Sequence, residues 1–132
     1  MKKIKKVLII EDDKSLARVL QIKLKAEDVD TLFVQSGERG IDVAYSGQPD
    51  LILLDMMLPG MGGGEVLQEL RSKDETKDIP VIVLTNIGDD MSVISEVVSL
   101  EASDYFVKAN TSIETIVDKI KERLAENRLP LQ

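Results

Sequence analysis

Leu51-Ile52-Leu53-Leu54-Asp55-Met56-Met57-Leu58-Pro59-Gly60 is the stretch whose reading decides the fold. Four large aliphatic residues run straight into a carboxylate. An unbroken apolar run of this length reads as a strand buried on both faces, as in parallel sheets covered by helices. Pro59-Gly60 marks a turn soon after it. Asp55 is therefore expected at the carboxyl end of a central strand, the edge at which open α/β sheets bind ligands.

Working outward, Val7-Leu8-Ile9-Ile10 reads as a first strand and ends in Glu11-Asp12-Asp13. Leu16, Val19, Leu20 and Leu24 then recur at helical spacing, with Asp13 or Ser15 as the N-terminal cap. A second strand is expected over 29–34. A second helix opens at Ser36-Gly37, buries Ile41, Ala44 and Tyr45, and ends at Gly47 before Pro49. The third strand is 51–54. Val66, Leu67 and Leu70 mark the third helix, and polar residues 72–78 a loop. A fourth strand is expected over 79–84, with Pro80 at its start, where a missing N–H is tolerated. Ile94, Val97 and Val98 carry a fourth helix. Tyr105-Phe106-Val107 is the fifth strand, and Ile113, Ile116, Val117, Ile120 and Leu124 form one face of a fifth helix. Five alternations of strand and helix require crossovers, hence a parallel sheet with helices on both faces.

The totals bound the chemistry. The chain of 132 residues fits one domain. We expect that domain over 1–126, a frayed tail over 127–132 with Pro130, and no effector domain, so no direct nucleic-acid contact through one. No apolar run approaches the roughly 20 residues of a membrane span, and the basic start of the chain is followed by too short an apolar run for a signal peptide. Net charge is −7 with no histidine and no cysteine. Acidity argues against unspecific nucleic-acid binding. The missing residue types exclude Ser-His and Cys-His nucleophiles, thiolate metal sites and a histidine phosphoacceptor. The cytoplasm is the expected compartment.

Strand ends carry what chemistry remains. The first ends in Glu11, Asp12 and Asp13, the third in Asp55, the fourth in Thr85 and the fifth in Lys108. Each alone has an ordinary reading as a turn residue, a cap or a solvated charge. Together they bring carboxylates, a hydroxyl and an ammonium to one edge. Carboxylates packed together repel unless a cation sits among them. Hard oxygen ligands at this density suit Mg²⁺. Aspartate can act as a nucleophile and form an aspartyl phosphate, and lysine and threonine are suitable partners for phosphoryl oxygens.

The motifs Val7-Leu8-Ile9-Ile10-Glu11-Asp12-Asp13, Asp55-Met56-Met57-Leu58-Pro59-Gly60-Met61-Gly62-Gly63, Ile79-Pro80-Val81-Ile82-Val83-Leu84-Thr85 and Asp104-Tyr105-Phe106-Val107-Lys108 resemble the receiver domain of two-component response regulators, of the single-domain chemotaxis type. The resemblance implies a flavodoxin-like, doubly wound five-stranded parallel sheet in the order 2-1-3-4-5 with five helices. It implies that Asp55 is the phosphoacceptor and that Glu11, Asp12, Asp55 and the backbone carbonyl of Met57 hold Mg²⁺. Thr85 and Lys108 contact the phosphoryl group, and Thr85 and Tyr105 form the switch. It implies a phosphorelay protein rather than an enzyme acting on a separate substrate, although it promotes its own phosphorylation and dephosphorylation. The donor is a sensor histidine kinase or a phosphotransfer protein. Output is a contact with a downstream protein through helix four, strand five and helix five, a face that leaves a phosphorylation-dependent dimer open. No membrane partner is implied.

Two departures stand out. Ala109 follows Lys108 where the family usually has proline with a cis peptide, and a cis bond before a non-proline residue costs about 2.5–4 kcal/mol. Asn86 follows Thr85 where the family favours a very small residue, and is expected to narrow access to Asp55. Met57 and Ile87, two residues beyond Asp55 and Thr85, offer no group to orient an attacking water, so slow self-dephosphorylation is expected. Among rivals, a dehalogenase-like phosphatase would place its nucleophile after strand one and carry a cap domain. A flavin-binding protein would want hydroxyls and glycines where the carboxylates stand. A degenerate receiver, binding without phosphorylation, would be expected to lack residues that this chain retains.

Overall fold

The computed structural model describes residues 3–86 and 91–126. Five strands alternate with five helices: β1 Lys6–Ile10, α1 Lys14–Ala26, β2 Asp30–Val34, α2 Gly37–Gly47, β3 Leu51–Asp55, α3 Gly63–Ser72, β4 Val81–Thr85, α4 Met91–Ser99, β5 Asp104–Val107 and α5 Ile113–Glu126. All pair in parallel, in the order β2-β1-β3-β4-β5. The doubly wound expectation therefore holds, and β3 occupies the centre.

The alternation of side chains along each strand divides the core into two layers. Val7, Ile9, Leu51, Leu53, Ile82 and Leu84 face α1 and α5, where Leu20, Leu24, Ile116 and Ile120 meet them. Leu8, Ile10, Ile52, Leu54, Val81 and Val83 face the other side, with Ala44, Val66, Leu67 and Leu70. Burial on both faces explains why the central strands read as unbroken apolar runs rather than as alternations.

The helices bury narrower stripes than the sequence pattern suggests. Val19, Tyr45 and Val98, expected on buried faces, are exposed, Val98 by 70%. Each lies beside a genuinely buried residue, and one residue along a helix turns the side chain by about 100°. Conversely, Ala17 is fully buried. Helix α1 is capped by Asp13, whose carboxylate accepts from the amide of Leu16 at 3.1 Å. Helix α2 ends on Gly47, but the left-handed residue is Gln48 (φ 44°), whose side-chain amide bonds the carbonyls of Ala44 and Tyr45.

The segment expected to be a polar loop has its own interior. Thr76 is buried and donates to the carbonyl of Leu70 at 2.7 Å. Arg71 donates to the carbonyls of Leu100, Lys77, Ile79 and Glu101 at 2.9–3.1 Å, fastening the end of α4 to the α3–β4 loop. Burial of its guanidinium lowers its pKa from the ordinary value. The tail over 127–132 and Ile87 lie outside the described residues. No described helix is long and apolar enough to cross a membrane.

Candidate functional site

The register builds the site. Ile10 pairs with Leu54, so Glu11 follows beside Asp55 at the same edge. Asp55 pairs with Leu84, and Thr85 with Val107, which brings Thr85 and Lys108 to that edge from the next two strands. Asp55 is the last residue of β3 and is 2% exposed, Glu11 is 1% exposed and Thr85 is fully buried, whereas Asp12 is exposed. Behind Asp55, α3 approaches closely: a Cβ on Gly63 would lie 2.5 Å from Cα of Met56 and 2.7 Å from the carbonyl oxygen of Asp55.

One ammonium joins the carboxylates. Lys108 Nζ lies 2.8 Å from Glu11 Oε1 and 3.2 Å from Asp55 Oδ2. Backbone amides hold the other oxygens. The Met57 N–H donates to Asp55 Oδ1 at 2.9 Å, and the Asp13 N–H donates to Glu11 Oε2 at 3.1 Å. Burial, then the neighbouring Asp55 carboxyl, pushes the Glu11 carboxyl up from 4.5 to about 7, against the pull of Lys108 and the Asp13 amide. Burial alone would lower the pKa of Lys108, but Glu11 and Asp55 outweigh it and hold the ammonium above its ordinary value.

The charge balance leaves room for a cation. Glu11, Asp12 and Asp55 each offer a carboxylate oxygen within 4.8 Å of the others. Lys108 contributes a single positive charge to this group. Glu11 Oε1 is buried and, although close to the ammonium, is aligned for no hydrogen bond. A cluster of hard oxygens, two of its three carboxylates buried, whose negative charge exceeds that of its one ammonium fits a divalent ion such as Mg²⁺.

Of the six residues expected at the strand ends, Glu11, Asp12, Asp55, Thr85 and Lys108 gather at this edge, and the sixth, Asp13, turns its carboxylate to the cap of α1. The Lys108–Ala109 peptide is trans, and the lysine reaches both carboxylates nonetheless. A single 3₁₀ turn over Lys108–Asn110 follows, tied back by the Thr111 hydroxyl to the carbonyl of Val107 at 2.7 Å. Tyr105 is half-buried on β5 against the layer that contains Val97. Asn86 is exposed in the bend after Thr85, and Met57 is 48% exposed. The amides of Asp13 and Met57 were not anticipated. Backbone donors leave no mark on residue type, and only the turn after each strand could have hinted at them.

Residues 7–121 match the response regulator receiver domain as a family. The uncharacterized transcriptional regulatory protein YkoG of Bacillus subtilis is 39% identical over 123 residues, covering 92% of this chain but 51% of that protein. The chain thus spans about half the length of that curated relative. Among solved structures, the BeF3-activated N-terminal receiver domain of Klebsiella pneumoniae RstA is 30% identical, with a TM-score of 0.80 over 91% of this chain and 98% of that one. The signal receiver domain of a signal transduction histidine kinase from Syntrophus aciditrophicus is 25% identical, with a TM-score of 0.85 over 97% and 96%.

Proposed function

The chain belongs to the receiver-domain family of two-component response regulators, and from that premise we propose that it carries a phosphoryl group on Asp55. Receiver domains take that group from histidine kinases or phosphotransfer proteins. In the reaction, a carboxylate oxygen of Asp55 attacks phosphorus as the bond from phosphorus to the donor imidazole nitrogen breaks. The nitrogen keeps the electron pair. Glu11, Asp12, Asp55 and the Met57 carbonyl would hold Mg²⁺, which when bound neutralises the carboxylates and the phosphoryl oxygens.

The chain's own groups do the rest. Lys108 already touches Asp55 and is the cation positioned to receive a phosphoryl oxygen. Thr85, buried at the neighbouring strand end, supplies a hydroxyl to the same group. Its movement would be transmitted to Tyr105 on β5 and so to the α4–β5–α5 face, where a downstream protein binds. The exposed apolar Met57 orients no water, which favours a long-lived phosphoryl group. We assign the protein to the cytoplasm, in keeping with its lack of cysteine.

The observation that carries this reading is the contact of one ammonium with two buried carboxylates beside Thr85. Intact mass after incubation with Mg²⁺ and acetyl phosphate tests it. Gain of one phosphoryl group by the wild type and none by Asp55→Asn is expected. No gain from acetyl phosphate or from a phosphorylated histidine donor would leave a binding module that works without phosphorylation.

A further inference from the structure

Strand β2 is an edge of the sheet, and its open side is unprotected. The Asp30 N–H donates to the Lys5 carbonyl at 2.9 Å, and the Val34 carbonyl accepts from the Glu11 N–H at 3.1 Å. Asp30, Leu32 and Val34 therefore turn their backbone groups toward β1, and Thr31 and Phe33 turn theirs outward. The strand Asp30-Thr31-Leu32-Phe33-Val34 contains no lysine and no proline, the usual devices that discourage pairing at an edge. At the other edge, Asp104 of β5 is occupied by a two-pronged contact with Arg123 at 2.7 and 3.1 Å.

The surroundings of this edge are positive in a chain of net charge −7. Helix α1 bears Lys14, Arg18, Lys23 and Lys25 and no carboxylate. Among the described residues, Arg18, Lys25 and Arg39 form no ion pair. A groove of about 410 Å³ runs between Arg18, Ile22 and Lys25 on α1 and Thr31 on β2. A second, of about 380 Å³, lies at the carboxyl end of the strand between Phe33 and Arg39. Ile22 is 61% exposed on the wall of the first. Of the carboxylates near this edge, Asp30 shares the parity of Leu32 and so lies on the opposite face of the sheet, and Glu38 reaches toward Gly60. Glu27 is paired with Lys121 at 2.8 Å, and Asp28 lines the neighbouring groove with these two residues.

We propose that the open edge of β2, flanked by Arg18, Lys25 and Arg39, is a docking surface for an acidic, extended segment of a partner protein, which adds to the sheet as one more strand. Main-chain bonds to Thr31 and Phe33 would supply affinity, Ile22 would take an apolar side chain, and the three cations would select acidic neighbours. A second copy of this chain is a poor occupant. Pairing β2 with β2 about a two-fold axis would set two cationic α1 helices side by side on one face of the joined sheet. The surface is independent of phosphorylation at Asp55, and its test uses the unmodified chain.

The probe is a synthetic peptide alternating glutamate and valine, titrated into the ¹⁵N-labelled full chain, with a lysine–valine peptide as control. Saturable shifts centred on β2 and the outer face of α1 are expected. Amide exchange should slow at Thr31 and Phe33, with Leu32 unchanged, and binding should weaken several-fold as sodium chloride is raised. Arg18→Glu with Lys25→Glu, checked for an intact fold by circular dichroism, should lower affinity at least several-fold. Four results would overturn the proposal: no shifts, equal binding of the lysine peptide, shifts confined to the acidic site around Asp55, or dimerisation through β2 seen by sedimentation.

Discussion

Lys108 is the residue on which the site's electrostatics turn. It stands within 3.2 Å of two carboxylates that are almost wholly buried. Lys108→Ala would leave them facing each other, and a buried charge that loses its partner is costly. The lysine is also one of the forces that restrain the rise of the Glu11 pKa. In the variant Glu11 should therefore take up a proton more readily, which limits the damage in acid. We predict a loss of about 1–3 kcal/mol in metal-free urea unfolding at pH 8 and a smaller loss at pH 5. Equal losses at the two values would show that the ammonium is not what balances the pair. Asn86 is the other informative single residue. Exposed in the bend after Thr85, it stands where access to Asp55 is expected to narrow. Asn86→Ala should speed phosphorylation by acetyl phosphate, or loss of the phosphoryl group, measured by intact mass against time. If both rates stay at the wild-type values, the side chain is not an obstacle.

At the scale of elements, the close approach of α3 to the end of β3 sets where Asp55 sits. Gly63→Ala would drive a Cβ into the backbone of Asp55 and Met56, where no flexible atom can yield. We expect a cost of roughly 1–3 kcal/mol from overpacking, greater than the helix-propensity gain of about 1 kcal/mol, together with slower phosphorylation. Gly64→Ala is the control: the nearest atoms its Cβ would meet belong to the flexible carboxylate of Glu96. Thermal melts of the pair should separate by several degrees, and coincident melts would mean that the helix simply shifts. The strands were legible because apolar runs and the residues that end them are local signals. From Leu51 to Asp55, residue type and order alone mark the end of a central strand. The helix faces were less legible. Val19 and Val98 carry the same hydrophobicity as their buried neighbours, and only packing decides which side of a helix the sheet covers. The tie from Arg71 to four carbonyls was invisible for a different reason, since it joins backbone groups up to 30 residues away.

The whole molecule carries the consequence of concentrating acids at one edge. Because burial and Asp55 raise the Glu11 carboxyl from 4.5 to about 7, the folded chain retains a proton that the unfolded chain releases. The favourable contribution of this group is therefore complete below about pH 4.5 and is lost as pH rises through about 7. The span corresponds to roughly 3–4 kcal/mol at about 1.4 kcal/mol per unit. Glu11→Gln, which stays neutral, removes the dependence. Measured in chelator by urea unfolding, the stability of wild type relative to Glu11→Gln should fall between pH 5 and pH 8. Mg²⁺ acts in the opposite sense. It requires the carboxylate form, so it displaces the proton and should stabilise the wild type more at pH 8 than at pH 5. Adding EDTA to a Mg²⁺-saturated sample should accordingly lower the melting temperature more at the higher pH, and much less in Glu11→Gln at either. If the two proteins give parallel stability curves across this range, Glu11 is not the group that couples the fold to protons and metal.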